Sequence, residues 1–272
     1  MHPAFAPTTL GQSGLTVSRL TLSATYRPGQ RAILWAAERG INSFFLFGID
    51  GQMKAALRTL LGRDREQKIV ITGAYNLIWG HTDVRRTLEK RLRQLRTDYI
   101  DVFLLLGVTK PAEFPDKVKD DLNQLLAEQK VRTVGLSTHD RKFAGRLAAE
   151  GTVGTLMIRY NAAHRGAEMD SFPFTVEHDP GVIAYTATRW SYLVRRPNKR
   201  LWPKTDPIPT AAQAYRFVLS NPSVHTCLTA PRNARELEQN LAVLDQGPLD
   251  PDEMQLLRRF GDVVHHTKKW FM

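Results

Sequence analysis

Apolar runs of strand length alternate with amphipathic segments along almost the whole chain. A short apolar run bounded by turn residues is typical of a buried strand, whereas apolar residues spaced three and four apart indicate a helix. Eight such runs alternating with helices predict a single-domain α/β fold, the (β/α)8 or TIM barrel, with a doubly wound sheet as the alternative. The runs are "RLTLSAT" (19–25), "INSFFLF" (41–47), "KIVITG" (68–73), "YIDVFLLL" (99–106), "VRTVGLS" (131–137), "TLMIRY" (155–160), "GVIAYTA" (181–187) and "VHTCLT" (224–229).

Helical patterns lie between most of these runs, and their ends carry the expected residues. Pro28 stands at the start of the first pattern, and Gly40, Gly62 and Gly151 stand at the ends of three of them. No linker divides the chain, so we expect residues 1–272 to form one barrel. The helical patterns cover residues 28–40, 50–62, 84–96, 114–130, 140–151, 210–222 and 232–244.

One connection stands out from the others by its length. The segment 189–209 is polar, basic and rich in proline, and it predicts a long loop between a strand and a helix. Long loops in compact domains usually carry function. In a barrel of this kind the active site lies at the carboxyl ends of the strands, so this loop is expected to border the site.

The charge of the chain suggests anionic ligands. Its net charge is +11 and its pI is about 9.9, and such a field attracts anions. The arginine-rich segment 84–96 has Leu88, Leu92 and Leu95 on one helical face and its arginines mostly elsewhere. This pattern indicates a solvated helix face, so we expect no specific binding of nucleic acid.

Other features narrow the class of protein further. The single cysteine, Cys227, excludes a disulfide framework within one chain, and no metal-binding motif occurs, so we expect no metal site. The sequence has no run of eighteen apolar residues and its N-terminus lacks the pattern of a secretory signal. We therefore expect a cytoplasmic protein that does not enter a membrane.

Motifs spread over the chain together resemble those of the aldo/keto reductase family. "LGQSGLTVSRLTLS" resembles the family's N-terminal hairpin and first strand, and "ERGINSFFLFGIDG" stands where the family has GINFFDTAxxYG. "LRQLRTDYIDVFLLLG" matches the stretch that normally ends in histidine. The other matches are "VRTVGLSTHD" with the IGVSNF segment, "RYNAAHRG" with the strand ending in Tyr-Asn, "VIAYTATRW" with the AYSPLARG turn, and "CLTAPRNARELEQNL" with IPGARNPEQLEENL.

The resemblance implies hydride transfer from NADPH to a carbonyl group by means of an aspartate, a tyrosine, a lysine and a histidine. This sequence departs from the family at all four positions, where it has Phe45, Asp50, Gly73 and Gly107, respectively. Loss of a general acid typically lowers the rate by about 10²–10⁴. We therefore expect very poor reduction of ordinary carbonyl compounds. The two glycines are expected to open the barrel mouth, and Phe45 to refill it in part.

The cofactor positions of the family are better matched. Ser137 and Tyr185 correspond to its carboxamide contact and to the aromatic residue that stacks on the nicotinamide. At the adenosine end, Arg232, Gln239 and Asn240 fit the family pattern. A positive side chain at a helix start would suit a 2′-phosphate. A cofactor, if one is bound, is thus expected to be NADP(H).

Three residues at the strand ends are candidates for catalysis. Asp50 precedes a helix, where it is expected to cap the helix, to act as a catalytic carboxylate, or both. Tyr75 lies two residues beyond Gly73 and would point to the same side, one layer higher, as an acid or as a packing residue. His164 follows the sixth strand and is either a proton donor or a solvated loop residue.

The remaining strand-end residues suggest a substrate and leave three functions open. A small anionic or aromatic ligand would suit a rim of mixed aromatic and basic groups. The protein is then an NADP(H)-dependent oxidoreductase with a remodelled active site, a non-catalytic cofactor-sensing or partner-binding protein, or a lyase or isomerase that uses Asp50 as a base. The rim residues are Phe45, Asn76, His139, Arg165, Arg189 and Trp190.

Overall fold

Eight parallel strands close into a barrel in the computed structural model, which describes residues 1–77, 80–81, 83–197 and 200–267. The barrel order is β4-β3-β11-β10-β9-β8-β7-β5, and pairing of β4 with β5 completes the circle. Each predicted run overlaps one barrel strand, which confirms the predicted fold. The strands are β1 (Thr8–Thr9), β2 (Thr16–Val17), β3 (Leu20–Ser23), β4 (Ser43–Phe45), β5 (Ile69–Leu77), β6 (Gly80–His81), β7 (Ile100–Val108), β8 (Val131–Thr138), β9 (Thr155–Arg159), β10 (Gly181–Tyr185) and β11 (Thr226–Thr229).

Helices follow the barrel strands and form the outer layer. Every predicted helical pattern overlaps a helix, and the long C-terminal helix was not predicted. Its signals are a proline at the first position and apolar residues at 254, 257, 260 and 264. The helices are α1 (Gln30–Glu38), α2 (Gly51–Arg63), α3 (Val84–Leu95), α4 (Asp116–Ala127), α5 (Arg141–Ala149), α6 (Ala167–Asp170), α7 (Ala211–Leu219), α8 (Ala234–Leu241), α9 (Val243–Gln246) and α10 (Pro251–Thr267).

The pleat of the strands divides the core into two clusters. Side chains that point inward fill the barrel, and those that point outward pack against the helices. The inward cluster contains Phe45, Ile71, Val102, Leu104, Met157 and Ile183, whereas the outward cluster contains Phe44, Val70, Phe103, Leu156 and Val182. Because a shift of one residue would exchange the two faces, this pattern fixes the register of every strand.

A short antiparallel hairpin of β1 and β2 covers the N-terminal end of the barrel. Leu10, Leu15 and Val17 from the hairpin are buried and belong to the inward cluster. The hairpin therefore closes the end of the barrel opposite to the carboxyl ends of the strands. The carboxyl ends remain as the face on which a site can form.

The barrel closes at a seam between β3, near the start of the chain, and β11, near its end. Thr21 Oγ1 lies 2.8 Å from Thr226 Oγ1 and 2.8 Å from Ser43 Oγ, so a buried hydroxyl network links three strands. Arg19 donates to the carbonyl oxygens of Leu219 and Val224 at 3.0 and 2.9 Å. The hydroxyl groups of the seam are thus paired with one another inside the protein, whereas Nε of Arg19 is buried without a hydrogen-bond partner among the described residues.

The arginine-rich helix α3 shows the predicted division of its faces, with one exception. Leu88, Leu92 and Leu95 are buried, whereas Arg86 and Arg93 are exposed and Arg85 is partly exposed. Arg91 is the exception, because only 8% of it is exposed. Within the described ranges, none of the helices combines the length and the apolar character that crossing a bilayer requires.

Candidate active site

The barrel mouth has two chemically different halves. Phe45, Phe47, Tyr75 and Leu106, at the ends of β4, β5 and β7, belong to the inward cluster or pack against it, and we call them the apolar half. The Phe45 and Phe47 rings meet edge to face with centroids 4.9 Å apart. The ring of Phe47 stacks on Tyr75, with centroids 5.9 Å apart and planes inclined by 14°. Aromatic side chains therefore fill this half.

Gly73 does not open the mouth, contrary to the expectation from the sequence. A Cβ placed on Gly73 would lie 2.0 Å from the carbonyl oxygen of Leu104 and 3.0 Å from Leu106 Cγ. The glycine allows the backbone of β7 to approach β5 closely, as glycines in strands often do. Gly107 has φ of 78°, next to a register shift between Leu105 and Val108, so its backbone conformation favours glycine.

Asp50 is the N-cap of α2. One carboxylate oxygen, Oδ1, accepts hydrogen bonds from the backbone N–H groups of Gln52 at 3.0 Å and of Met53 at 3.1 Å. Both bonds satisfy donors that a helix leaves unpaired in its first turn. The capping role predicted for Asp50 is therefore present, and it accounts for the position of the side chain at the mouth.

Burial shapes the chemistry of Tyr75. Desolvation raises the pKa of its hydroxyl group, and the positive charge of Arg91 opposes that shift. The phenol is thus neutral and protonated at ordinary pH, in a setting from which water is largely removed. The neighbouring Asn76 belongs to β5, and its side chain lies outside the described part of the structure.

The opposite half of the mouth consists of Ser137, His139, Arg159 and Tyr185, and we call it the polar half. In the parallel register Arg159 pairs with Tyr185, while the next strand pairs Thr138 with Ile158 and so brings His139 beside Arg159. The Tyr185 hydroxyl lies 3.3 Å from His139 Nδ1. Ends of three adjacent strands therefore carry a phenol, an imidazole and a guanidinium.

Arg159 was missed in the sequence because it lies within the apolar run "TLMIRY". Strand parity could have identified it, since Met157 points into the barrel and Arg159 is two residues farther along. Its charge affects its neighbours. Burial raises the pKa of Tyr185 to about 12 despite the opposing effect of Arg159. Burial and Arg159 together lower the pKa of His139.

His164 lies below the surface and is held by the turn that follows β9. Its Nδ1 lies 3.2 Å from Asn161 Oδ1, and only 9% of the residue is exposed. Burial, followed by the charges of Arg159, Arg189, His265 and Arg141, lowers its pKa to about 3. The imidazole is therefore neutral near pH 7 and is a weak proton donor there.

Both arginines predicted at the rim connect the C-terminal helix to loops at the barrel mouth. Arg165 forms an ion pair with Asp262 of α10 at 2.6 Å and donates to the Ala162 carbonyl oxygen at 2.6 Å. Arg189 Nη1 donates to the carbonyl oxygen of Val264 at 2.6 Å. These contacts join the loops after β9 and β10 to α10.

The turn after β10 has an unusual backbone. Thr186, Arg189, Trp190 and Ser191 all have positive φ, between 46° and 71°, although none of them is glycine. Such conformations cost free energy and cluster at functional sites. Trp190 is 57% exposed on this turn. The predicted loop 189–209 contains only a short 3-10 helix, Tyr192–Val194, among its described residues.

The expected adenosine end lies at the start of α8. The Arg232 guanidinium packs over the ring of Tyr26 at 5.7 Å, and both residues are exposed. Gln239 is also exposed. Asn240, in contrast, is buried and donates to Thr229 Oγ1 at 2.9 Å. Arg232 and Gln239 are accessible to a ligand, whereas Asn240 connects α8 to the barrel.

A concave region lies away from the mouth. A cleft of about 480 Å³ lies at the N-terminal face of the barrel, which in this fold class contributes to stability rather than to catalysis. Among the residues whose placement is described, no group of three histidine, cysteine, aspartate or glutamate side chains could hold a metal ion. The cleft is lined by residues that include Leu15, Ile41, Asn42, Lys68 and Arg132.

Curated proteins with similar sequences are oxidoreductases, although no family model matches the chain. The chain is 27% identical to methylglyoxal reductase YeaE of Escherichia coli over 140 residues, which is 50% of this chain and 49% of that protein. It is 19% identical to the uncharacterized oxidoreductase YqkF of Bacillus subtilis over 210 residues, 68% of this chain and 66% of that protein. The matched stretches thus span about half of the first relative and 66% of the second.

Solved structures match over a larger share of the chain. The holo form of an aldo-keto reductase from Bacillus halodurans has a TM-score of 0.78 and 21% identity, and the match covers 94% of this chain and 96% of that one. An aldo/keto reductase from Klebsiella pneumoniae, solved with NADP and acetate, has a TM-score of 0.75 and 22% identity over 94% and 95% of the two chains. The protein therefore has the (β/α)8 fold of the aldo-keto reductases.

Proposed function

We propose that the protein is an NADP(H)-dependent oxidoreductase that acts on a small carbonyl compound at a remodelled active site. The observation that carries this proposal is the division of the mouth into two halves. The polar half offers Ser137 and Tyr185 for the nicotinamide, and the apolar half offers the buried hydroxyl of Tyr75 as a proton donor. The fold and the names of the similar proteins support the same class of reaction.

The residues at the start of α8 fit the adenosine part of NADP(H). Arg232 is exposed at the amino end of the helix, where helix dipole and guanidinium both favour a phosphate. The ring of Tyr26 lies against that guanidinium and adds an accessible aromatic face. Glu236 opposes this in part, because its carboxylate accepts the backbone N–H of Arg232 at 2.9 Å. A 2′-phosphate would bind through the Arg232 side chain.

The side chains of this protein would then contribute positioning and a proton. When bound, NADPH supplies the hydride. Tyr75 would donate its hydroxyl proton to the carbonyl oxygen, and Phe45 and Phe47 would keep water away from that oxygen. His164 is a poorer donor because its pKa lies far below neutral. We expect slow turnover, since the lysine and histidine of the family are both replaced by glycine.

The substrate that this mouth would admit is small and carries an anionic or an aromatic group. Arg159, which is half-buried at the end of β9, gives the polar half positive charge, and Trp190 exposes an aromatic face on the turn after β10. Such groups bind carboxylates and planar rings. Comparing an oxo acid with the neutral aldehyde of the same length would test the charge preference.

A non-catalytic protein that binds NADP(H) is the second candidate. It is favoured by the packing at the family's catalytic positions, where Phe45 is 1% exposed and Gly73 contacts the backbone of β7. In that case the cofactor would bind without turnover. Fluorescence titration with NADPH followed by single-turnover reduction of methylglyoxal distinguishes the two candidates.

The oxidoreductase proposal predicts a large effect of Tyr75→Phe. The change should lower the rate of reduction about 10²-fold or more and leave the affinity for NADPH unchanged. Tyr99→Phe is the matched control, because Tyr99 donates to Glu66 at the other end of the barrel. Equal rates for the two variants would remove Tyr75 as the acid, and binding of NADPH without any reduction would favour the second candidate.

The variant Arg232→Ala tests the proposed binding of NADPH separately. Loss of a charge-assisted hydrogen bond should cost about 1.5–3 kcal/mol of NADPH affinity and much less for NADH, which lacks the 2′-phosphate. Arg235→Ala is the control, since Arg235 is a second exposed arginine of the same helix. Failure of the unmodified protein to bind either dinucleotide would contradict the proposed cofactor.

A further inference from the structure

Arg91 differs from the other basic residues of its helix. Its neighbours Arg86, Arg93 and Arg96 are exposed, as expected for a solvated face, whereas Arg91 is 8% exposed on the inner side of α3. A buried guanidinium is costly unless opposite charges and hydrogen bonds compensate for the lost water. The position of this charge therefore calls for an explanation.

The compensation for Arg91 is incomplete. Nη1 donates to Gln94 Oε1 at 2.8 Å and to the Gly48 carbonyl oxygen at 3.4 Å, and Nε has no hydrogen-bond partner among the described residues. Burial lowers the pKa of the guanidinium, and in the described part of the chain Tyr75 is the one group that raises it. Lys54 Nζ lies 3.5 Å from the same Gly48 carbonyl oxygen, so the second charge nearby is also positive.

The guanidinium reaches the barrel mouth at Gly48. A Cβ on Gly48 would lie 1.7 Å from Nη2 of Arg91, and φ of Gly48 is 100°, so only a glycine leaves room for this contact. The preceding residue, Phe47, stacks on Tyr75. Arg91, the Gly48 backbone and the Phe47–Tyr75 pair thus form one continuous cluster.

We propose that Arg91 is the cationic partner of the Tyr75 hydroxyl, supplied from the helix layer in place of the lysine that β5 lacks. It is a positioning residue: it would act on the substrate only through Tyr75. The effect of Arg91 on catalysis rests on the function proposed above. The electrostatic interaction between Arg91 and the Tyr75 hydroxyl does not depend on that function.

The chemistry that this pairing would support is a simple proton transfer. As the hydride adds to the carbonyl carbon, the O–H bond of Tyr75 breaks and a new O–H bond forms on the substrate oxygen. Tyr75 becomes a phenolate, which Arg91 stabilises until water returns the proton. A nearby cation lowers the free energy of the phenolate without touching the substrate.

The test measures the ionisation of the phenol at position 75 in the protein without cofactor. With 3,5-difluorotyrosine at position 75, fluorine NMR follows its ionisation at accessible pH. Arg91→Met should raise the titration midpoint by about one pH unit or more, because the cation is removed. Arg91→Lys keeps a charge and should restore most of the shift, and Arg93→Met, on the exposed face of the same helix, should leave the midpoint unchanged.

Folding does not obscure this result. Replacing a buried charge by an apolar side chain of similar length is often neutral or stabilising, so Arg91→Met is expected to fold, which circular dichroism would verify. An unchanged midpoint in folded Arg91→Met, or an equal shift in Arg93→Met, would overturn the proposal. The midpoint is read without turnover, so a protein that reduces nothing still gives a decisive answer about Arg91.

Discussion

The two halves of the barrel mouth are built from equivalent strand ends but have opposite character. In the apolar half the side chains pack edge to face and stack, and a glycine brings two backbones into contact. In the polar half, adjacent strands present a hydroxyl, an imidazole and a guanidinium. The comparison shows that Phe45 and Gly73 in the apolar half are packed as core, whereas the strand ends of the polar half keep groups that can form hydrogen bonds or carry charge.

The largest effect is expected at the centre of the apolar half. Gly73→Ala would place a methyl group 2.0 Å from the Leu104 carbonyl oxygen, so the backbone of β5 or β7 must move. We expect a loss of about 3 kcal/mol in the free energy of unfolding, measured by urea denaturation. Gly62→Ala is the control, because a Cβ there meets nothing within 4 Å and the position lies in α2.

A small effect of Gly73→Ala would mean that the apolar half is open enough to accept a side chain. Gly73→Lys would then be worth making, because the sequence resemblance predicts a lysine at this position. If the packing is as tight as described, that variant should fold poorly and gain no activity.

An effect that is smaller per pH unit is expected at His164, on the turn after β9, on acidification. The pKa of His164 is lowered from its ordinary value to about 3, so below pH 6.5 the unfolded chain binds a proton that the folded protein does not. Stability should therefore decrease as pH falls from about 6.5 towards 3, by about 1.4 kcal/mol per pH unit for this one group. Above pH 6.5 the contribution of His164 should vanish.

His164→Asn tests that prediction when urea denaturation is measured at several pH values. In the variant, the slope of the unfolding free energy against pH should be smaller by the contribution of about one proton between pH 6 and 4, whatever its stability at pH 7. His266→Asn, an exposed histidine of α10, should keep the pH dependence of the unmodified protein. The same slope in all three proteins would show that His164 is as accessible as a surface histidine.

The smallest effect on stability is expected where the two halves meet the helix layer, at Asp50. Asp50→Asn keeps an oxygen that can accept the N–H groups of Gln52 and Met53, so unfolding should change by less than about 0.5 kcal/mol. Asp50→Ala should cost about 1 kcal/mol. A loss of about 10² in any measured turnover by folded Asp50→Asn would instead favour the lyase or isomerase with Asp50 as its base.

The sequence predicted the barrel well because its signals are local. Runs such as "YIDVFLLL" and "GVIAYTA" carry strand length and burial within a few residues, and the order of the elements limits the topologies. The capping role of Asp50 was also predictable, since it depends on backbone N–H groups only two and three residues farther along the chain. Such features can be predicted from residues that are close together in the sequence.

The parts of the site that were missed depend on distant neighbours. Gly73 suggested an open space, but the space is taken by the backbone of a strand about thirty residues away in the chain. Arg91 lies in a helical pattern, and its charge predicts an exposed position. It is buried because its guanidinium packs against the turn at Gly48. Neither contact can be read from hydrophobic periodicity, which reports only which way a side chain points.

The seam between β3 and β11 has a consequence for biosynthesis. The hydroxyls of Thr21 and Thr226 that meet there are 205 residues apart in the chain. Arg19 donates to carbonyl groups that are 200 and 205 residues farther along. On the ribosome β3 must therefore keep one edge unpaired until β11, at Thr226–Thr229, has emerged. A circular permutant that begins at α3 and joins residue 272 to residue 1 would bring out β11 and β3 one after the other, and it would move the late-closing seam to β5 and β7.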